Sequence, residues 1–202
     1  MNPTSNKKDF EELTTNLRDL AYAYLEKYSP SKQQLKIYLL KKYLNKFNNS
    51  KSKKDLSNII DKILTNLEKT KLISDELYSD SKSRMLLRRG YSLNKINQSL
   101  RQKGIKSEFI KKSLEKIKED KIEPDFVSAL KLCKRRRIGA LRPGANRELF
   151  YKKDIGILAR AWFSFEMSKR VLDLEAEEFN KLIKIIWILI LFVFYKIFQL
   201  FF

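Results

Sequence analysis

Residues 88–105, RRGYSLNKINQSLRQKGI, contain the pattern on which the fold of this chain depends. Ser92 is followed at steps of four by the apolar residues Ile96 and Leu100, and Gly104 stands near the end of the segment. A Ser before apolar residues at this spacing is typical of an N-capped helix with one buried face. The Gly predicts a helix end in the left-handed backbone conformation, as we also expect at Gly90.

The same pattern occurs 61 positions earlier, where Ser31, Leu35 and Leu39 match the three residues above. An apolar helix follows each copy, with Ile60 and Leu64 matched by residues 50 positions later. The offset falls from 61 to 50 because the first copy has a longer polar loop, which we place at residues 45–54. The repeat therefore extends over three helices, and repeats of this kind favour a modular binding surface over an enzyme cleft.

A third copy is degenerate. It aligns Leu158 with Leu100, but Asp154 falls where an apolar residue is expected and Trp162 falls at the position of Gly104. A Gly- and Pro-containing loop is predicted at residues 139–148. We therefore predict an all-α chain with a disordered N-terminus at 1–8, three-helix modules at 9–72, 73–122 and 123–180, and a hydrophobic tail at 181–202 that forms a C-terminal helix. The first helix is expected to begin at Phe10 and the first helix of the second module to bury Leu77, Met85 and Leu86.

The composition indicates a polyanionic partner. The 202 residues include 43 Lys and Arg against 24 Asp and Glu, a formal charge of +19. Nucleic acid, an acidic protein surface and anionic lipid all fit that charge. The chain has no His and one Cys, Cys133, which excludes common zinc sites and His-dependent nucleophilic catalysis. We expect no enzymatic activity, no cofactor and no metal, a buried Cys133, and a reducing cytosol as the compartment.

The basic residues are densest in the third module. Ten Lys and Arg residues stand between Lys131 and Arg160, against two acidic residues. Arg suits phosphate or carboxylate contacts because its planar guanidinium donates two parallel hydrogen bonds. A solvated charged face without a partner is the alternative interpretation. The candidate partner-binding or DNA-binding residues are Arg88, Arg89, Arg101, Lys103, Lys134, Arg135, Arg136, Arg137, Arg142, Arg147, Lys152, Lys153 and Arg160.

Five tyrosines of the first module have helical spacing, so we predict that they pack in the core or between modules and do not stack on bases. They are Tyr22, Tyr24, Tyr28, Tyr38 and Tyr43. The tail, KLIKIIWILILFVFYKIFQLFF at 181–202, has the length of a membrane span but contains Lys184, Lys196 and Gln199. Three interpretations of the tail remain open. They are a C-terminal membrane anchor, a helix docked on the body or on a partner, and an extension without function.

Three segments resemble the RecX family of bacterial RecA regulators. These are ISDELYSDSKSRMLLRRGYSLNKINQSLRQKGI (73–105), CKRRRIGALR (133–142) and KKDIGILARAWFSFEMSKRVLD (152–173). The last two are similar to the form found in alphaproteobacterial members. Trp162 departs from the family pattern, which has a small residue there, and the last 22 residues have no counterpart in it.

The resemblance implies an elongated, curved array of the three modules that lies in the groove of the RecA filament on single-stranded DNA. It implies a monomeric cytoplasmic protein that modulates, usually by inhibition, filament growth, ATP hydrolysis, recombination and the SOS response. From the residues alone two other functions stay open: a general basic nucleic-acid-binding helical protein, and a membrane-attached adaptor that uses the tail.

Overall fold

A computed structural model describes residues 3–43, 50–120 and 123–201 of the chain. The described residues form ten α-helices and one short 3-10 helix, and they contain no strand, which confirms the all-α prediction. The helices are α1 Pro3–Lys27, α2 Lys32–Tyr43, α3 Ser50–Lys69, α4 Asp75–Arg88, α5 Leu93–Gln102, α6 Ser107–Asp120, α7 Pro124–Arg136, the 3-10 helix Gly139–Leu141, α8 Gly144–Arg160, α9 Phe165–Leu172 and α10 Ala176–Phe201.

Three helices begin earlier than the sequence predicts. Helix α1 begins at Pro3, seven residues before the predicted start at Phe10. Pro is favoured in the first helical turn, where its missing N–H needs no partner. Helix α3 begins at Ser50 within the predicted loop, because the lysines that follow are good helix formers. Helix α8 begins at Gly144, which shortens the predicted loop at 139–148. Residues 45–49 of the other loop lie outside the described residues.

The chain divides into two compact units. One contains residues 1–81 and 100–111, and the other contains residues 82–99 and 112–202. The division falls inside the second predicted module, so that α4, α5 and α6 each contribute to both units. The hydrogen bonds described below explain this, because they join neighbouring modules within each unit.

The core of the first unit is built by α1, α2 and α3. Leu35 and Leu39 on α2 are fully buried, as the capped-helix pattern predicts, and they share a cluster with Ile60 and Leu64. The ring centroids of Tyr24 and Tyr38 stack at 4.1 Å. Packing is thus confirmed for these two tyrosines and for Tyr43, which packs against the same cluster. Tyr22 is exposed, so for it the prediction of packing is wrong, and Tyr28 is exposed although its ring centroid lies 4.9 Å from that of Tyr24.

The buried face of helix α4 contains small polar residues, whereas the sequence pattern predicted that Leu77 would be buried. Ser79 and Ser83 are fully buried, together with Leu86 and Leu87 near the end of the helix, whereas Leu77 is 68% exposed. The hydroxyl of Ser79 donates to the carbonyl of Phe109 at 3.3 Å. Of the three residues predicted to be buried, Leu86 is buried, Met85 is half-buried and Leu77 is exposed, because hydrophobic spacing does not detect a buried face that contains serines.

The core of the second unit is built by α7, α8, α9 and the start of α10. Cys133 is buried there, as predicted. Its burial, and to a smaller extent the nearby Asp154 carboxylate, raises the pKa of its thiol to about 12. Phe179 and Ile183 of α10 are 1% and 7% exposed in the same cluster, with Ile186 packed against it. The first turns of α10 are thus docked on the third module. In the part of the chain that the structure describes, no helix has both the length and the apolar character of a membrane span.

A pair of hydrogen bonds joins the first module to the second. The hydroxyl of Ser31 donates to the carbonyl of Lys103 at 2.7 Å and accepts from the N–H of Gln34 at 3.2 Å. The N–H of Lys32 donates to Asp75 Oδ1 at 2.9 Å. The Ser that caps α2 therefore also binds the end of α5, and the first residue of α4 binds the start of α2.

The second module is joined to the third in the same way. The single hydroxyl hydrogen of Ser92 is shared between the carbonyls of Ala161 and Trp162, whose oxygens both lie 2.9 Å from Oγ, while Oγ accepts from the N–H of Lys95 and so caps α5. The N–H of Leu93 donates to Asp125 Oδ1 at 2.7 Å. Ser31 and Ser92 are 61 positions apart and Lys103 and Ala161 are 58 apart, as the offsets of the repeat require; the equivalent acceptors Asp75 and Asp125 are 50 apart. We call each set a module junction.

The junction pattern ends with the third module. The residue before α8 is Pro143, which has no backbone N–H and makes no side-chain cap hydrogen bond. At the start of α8, therefore, no side-chain hydroxyl takes the place that Ser31 and Ser92 have at the starts of α2 and α5.

Gly104 and Trp162 occupy equivalent turns at the two junctions. Their φ angles are +74° and +66°, and in both turns the next N–H donates at 3.2 Å to the carbonyl five residues before it. A Cβ on Gly104 would lie 2.5 Å from the Cβ of Gln33, which explains the glycine. At the second junction the residue corresponding to Gln33 is Asn94, which is one methylene shorter, and Trp162 has a Cβ there.

Candidate binding surface

The C-terminal turn of α7 presents the run of cations that the sequence singles out. Lys134, Arg135, Arg136 and Arg137 are all exposed. Cations are stabilised at this end of a helix because the last carbonyls carry partial negative charge. Arg137 ends the helix in the left-handed conformation, with φ of 54°, and its N–H bonds to the carbonyls of the last turn. We call this group the α7 basic end.

The structure brings a second predicted basic pair to this end. Arg135 Nη1 donates to the carbonyl of Arg89 at 2.6 Å, so the end of α4 lies against α7. Gly90 permits the approach, since a Cβ there would lie 2.9 Å from the carbonyl oxygen of Ser128. Arg88 and Arg89 are exposed. Gly90, which we predicted to end a helix, therefore also allows the end of α4 to lie against α7.

Aromatic and apolar side chains of α10 border the α7 basic end. Lys134 Nζ lies 5.0 Å from the ring centroid of Trp187, which is 52% exposed. Ile185 and Ile188 beside it are also exposed. Sequence reasoning missed this neighbour, because the tail was considered separately from the modules. The hydrophobic spacing that continues from Phe179 into Ile183 and Ile186 was the available signal.

Two of the predicted binding arginines hold the third module together. Arg142 donates to Asp154 through Nε and Nη2, both at 2.7 Å, and Asp154 is 1% exposed. The hydrogen bond to this carboxylate raises the pKa of Arg142. Arg147 donates to the carbonyls of Leu172 and Leu174 at 3.0 and 2.6 Å. Asp154 also accepts from the N–H of Gly139 at 3.0 Å, which explains a carboxylate at a buried position of the repeat.

The remaining candidates are placed on two other surfaces. Lys152, Lys153 and Arg160 are exposed on α8, and Lys153 Nζ lies 5.4 Å from the ring centroid of Phe150. Arg101 is exposed and Lys103 is half-buried; both belong to the first unit, whereas the other candidates belong to the second.

The chemistry of these surfaces is electrostatic. Guanidinium and ammonium groups bind phosphates and carboxylates without forming or breaking covalent bonds. The burial that raises the pKa of Cys133 keeps its thiol protonated and unreactive. Among the described residues no group of three or more His, Cys, Asp or Glu side chains is arranged to hold a metal ion.

Fold and surface together define a class of protein: an all-helical chain of tandem three-helix modules whose exposed functional groups are mainly cations. A family model described as the second three-helix domain of RecX matches residues 74–114. The regulatory protein RecX of Myxococcus xanthus strain DK1622 is 32% identical over 163 residues, which cover 79% of this chain and 85% of that protein. The chain belongs to the RecX family.

Solved structures support the fold. The crystal structure of a regulatory protein RecX matches with a TM-score of 0.54 and 23% identity, and the match covers 84% of this chain and 78% of that one. The crystal structure of RecX from Lactobacillus salivarius matches with a TM-score of 0.54 and 17% identity, covering 81% and 98% of the two chains. The resemblance seen in the three sequence segments is thereby confirmed at the level of the family.

Proposed function

We propose that this protein binds RecA and its filament on single-stranded DNA and inhibits filament growth. Lower ATP hydrolysis, recombination and SOS activity follow from a shorter filament. The protein acts in the cytoplasm, as a monomer, by binding and not by catalysis. Membership of a family of regulatory proteins supports a binding role, and the charge of +19 supports a polyanionic partner.

The observation that carries the proposal is the α7 basic end with Arg88 and Arg89 beside it. Arg89 and Arg135 are 46 residues apart in the sequence and are in contact here. Positive charges that lie close together repel each other, and an anionic partner relieves that repulsion. We propose that the exposed candidates make the contacts to phosphates or to acidic side chains. Arg142 and Arg147 keep the surface in place from inside the module.

The proposal is tested by the rate of ATP hydrolysis by RecA on single-stranded DNA. The full chain, added at substoichiometric to stoichiometric amounts, is expected to depress the rate. The double variant Lys134→Glu/Arg136→Glu should lose most of this effect, because it reverses two charges of the α7 basic end. Lys53→Glu/Lys54→Glu on α3 changes the net charge equally at exposed residues and should inhibit like the unmodified chain. An unchanged rate with the unmodified chain would contradict the proposal.

The second candidate function is general nucleic-acid binding, which the net charge alone favours. Its affinity would fall with salt, with log K decreasing by roughly 0.7 per phosphate contact per decade of salt for single strands. This function predicts equal affinity for bare single-stranded DNA and for DNA covered by RecA.

A further inference from the structure

Trp162 has a backbone conformation that is unfavourable for its side chain. Its φ is +66°, in the left-handed region where any residue with a Cβ is disfavoured and glycine is not. The equivalent turn at the first junction has Gly104. Nearly half of the Trp162 surface, 44%, is exposed, so core packing does not account for an indole here. An unfavourable conformation combined with exposure indicates a function for the side chain.

The surroundings of Trp162 hold its backbone and supply positive charge. The Ser92 hydroxyl holds the Trp162 carbonyl at 2.9 Å, and Lys95 Nζ lies 5.1 Å from the ring centroid. Arg160 is exposed on the last turn of α8, and Phe165, on the first residue of α9, is 66% exposed. The indole is thus attached to a hydrogen-bonded backbone turn and lies beside the Lys95 ammonium, with exposed Arg160 and Phe165 within three residues of it in the sequence.

We propose that Trp162 is a stacking platform for an unpaired base of single-stranded nucleic acid, and that Lys95 and Arg160 contact the adjacent phosphates. Aromatic rings stack on bases of any sequence, and cations beside them follow the backbone of the strand. A duplex offers no free base face in its interior, which is why the ligand is single-stranded. This inference rests on the proposed function in one respect, since the filament is what presents single-stranded DNA to the protein. The binding test itself uses no RecA.

The test measures binding of the full chain to a fluorescent oligo-dT of about 20 nucleotides by anisotropy. Trp162→Gly should weaken binding roughly tenfold, and Trp162→Phe should weaken it less because a ring remains. Trp162→Gly suits the left-handed turn, so its thermal midpoint should not fall below that of the unmodified chain. Tyr22→Ala removes an aromatic side chain of similar exposure, 43%, from the first unit and should leave the affinity unchanged.

A second readout keeps the proposal open to contradiction if a variant folds poorly. In a Trp187→Phe background Trp162 is the remaining tryptophan, since the chain has two. Its fluorescence should be quenched when unlabelled oligo-dT is added. Undiminished affinity of Trp162→Gly for oligo-dT would overturn the proposal, as would Trp162 fluorescence that does not change when oligo-dT is added. Either result leaves the ATP hydrolysis assay to decide the proposed function separately.

Discussion

Arg142 shows how one buried carboxylate changes the role of a predicted binding residue. In the sequence it belongs to the densest basic stretch, and only the fold brings Asp154 to its guanidinium. A buried carboxylate without its cation is strongly unfavourable, because the low-dielectric interior does not solvate it. Basic composition could predict that this region is cationic, but it could not distinguish the arginines that bind outward from those that bind inward.

Replacement of Arg142 should therefore lower stability far more than replacement of an exposed arginine. We expect Arg142→Ala to reduce the free energy of unfolding by about 3 kcal/mol, since Asp154 is left buried and unpaired. Urea denaturation followed by circular dichroism measures this. Arg136→Ala is the matched control and should be indistinguishable from the unmodified chain. Equal stability of the two variants would show that the ion pair contributes nothing.

Asp125 at the second junction gives a pH dependence of stability. Burial raises its pKa above the ordinary 3.8, although the hydrogen bond from Leu93 opposes this. The folded chain therefore binds a proton at a pH where the unfolded chain has lost it. The resulting stabilisation is present at low pH and is lost as the pH rises through the pKa of the folded state.

Asp125→Asn removes this titration and keeps an oxygen that can accept from Leu93. The stability of the unmodified chain minus that of the variant should decrease as the pH rises from about 3.5 to about 6.5. Urea unfolding at the two pH values measures the difference. Asp19→Asn, at an exposed position of α1, controls for general effects of net charge. A difference that is constant or that grows with pH would contradict the assigned cause.

At the scale of elements, Ser92 combines two functions in one hydroxyl. It caps α5 and also bonds to the end of α8 at 2.9 Å, whereas Ser164 caps α9 by accepting from Met167 at 3.1 Å. Ser92→Ala should cost about 2 to 3 kcal/mol, the sum of a lost cap and buried carbonyls left unbonded, and Ser164→Ala about 1 kcal/mol. Chemical denaturation of both variants checks this. Equal losses of unfolding free energy in the two variants would mean that the hydrogen bond from Ser92 to the end of α8 adds nothing to an ordinary helix cap.

Helix α10 is divided between a packed start and exposed residues further along. Phe179 is 1% exposed in the core of the second unit, while Ile188 is 63% exposed. Phe179→Ala should therefore lower the free energy of unfolding by about 3 to 5 kcal/mol. Ile188→Ala should have little effect in the same denaturation experiment. A small loss for Phe179→Ala would mean that the start of α10 is not part of the core.

The helices themselves could largely be predicted from sequence, because caps and apolar spacing are local. Ser92, Ile96 and Leu100 identify α5 without knowledge of any other segment. The junction bonds could not be predicted, since their partners lie up to 72 residues apart and any polar group can accept. The exposed face of Leu77 was misjudged for a related reason: two serines take the buried side of α4.

At the scale of the whole molecule, the repeat links fold and function. The two junctions use the same kinds of hydrogen bond, and most of the candidate cations lie in the third module, where Pro143 and not a capping Ser precedes α8. The family was predicted correctly from three motifs in order, because glycine turns, caps and basic runs are local features. Which basic residues share a surface was decided by the fold.

Co-sedimentation with RecA filaments on single-stranded DNA tests the central claim most directly. The claim is that the modules form a surface that fits the assembled filament better than it fits RecA alone or bare single-stranded DNA. The unmodified chain should bind the filament more tightly than it binds RecA alone or bare single-stranded DNA, and it should be released as salt is raised because phosphate and carboxylate contacts are screened. Equal affinity for the filament and for bare DNA would contradict the account.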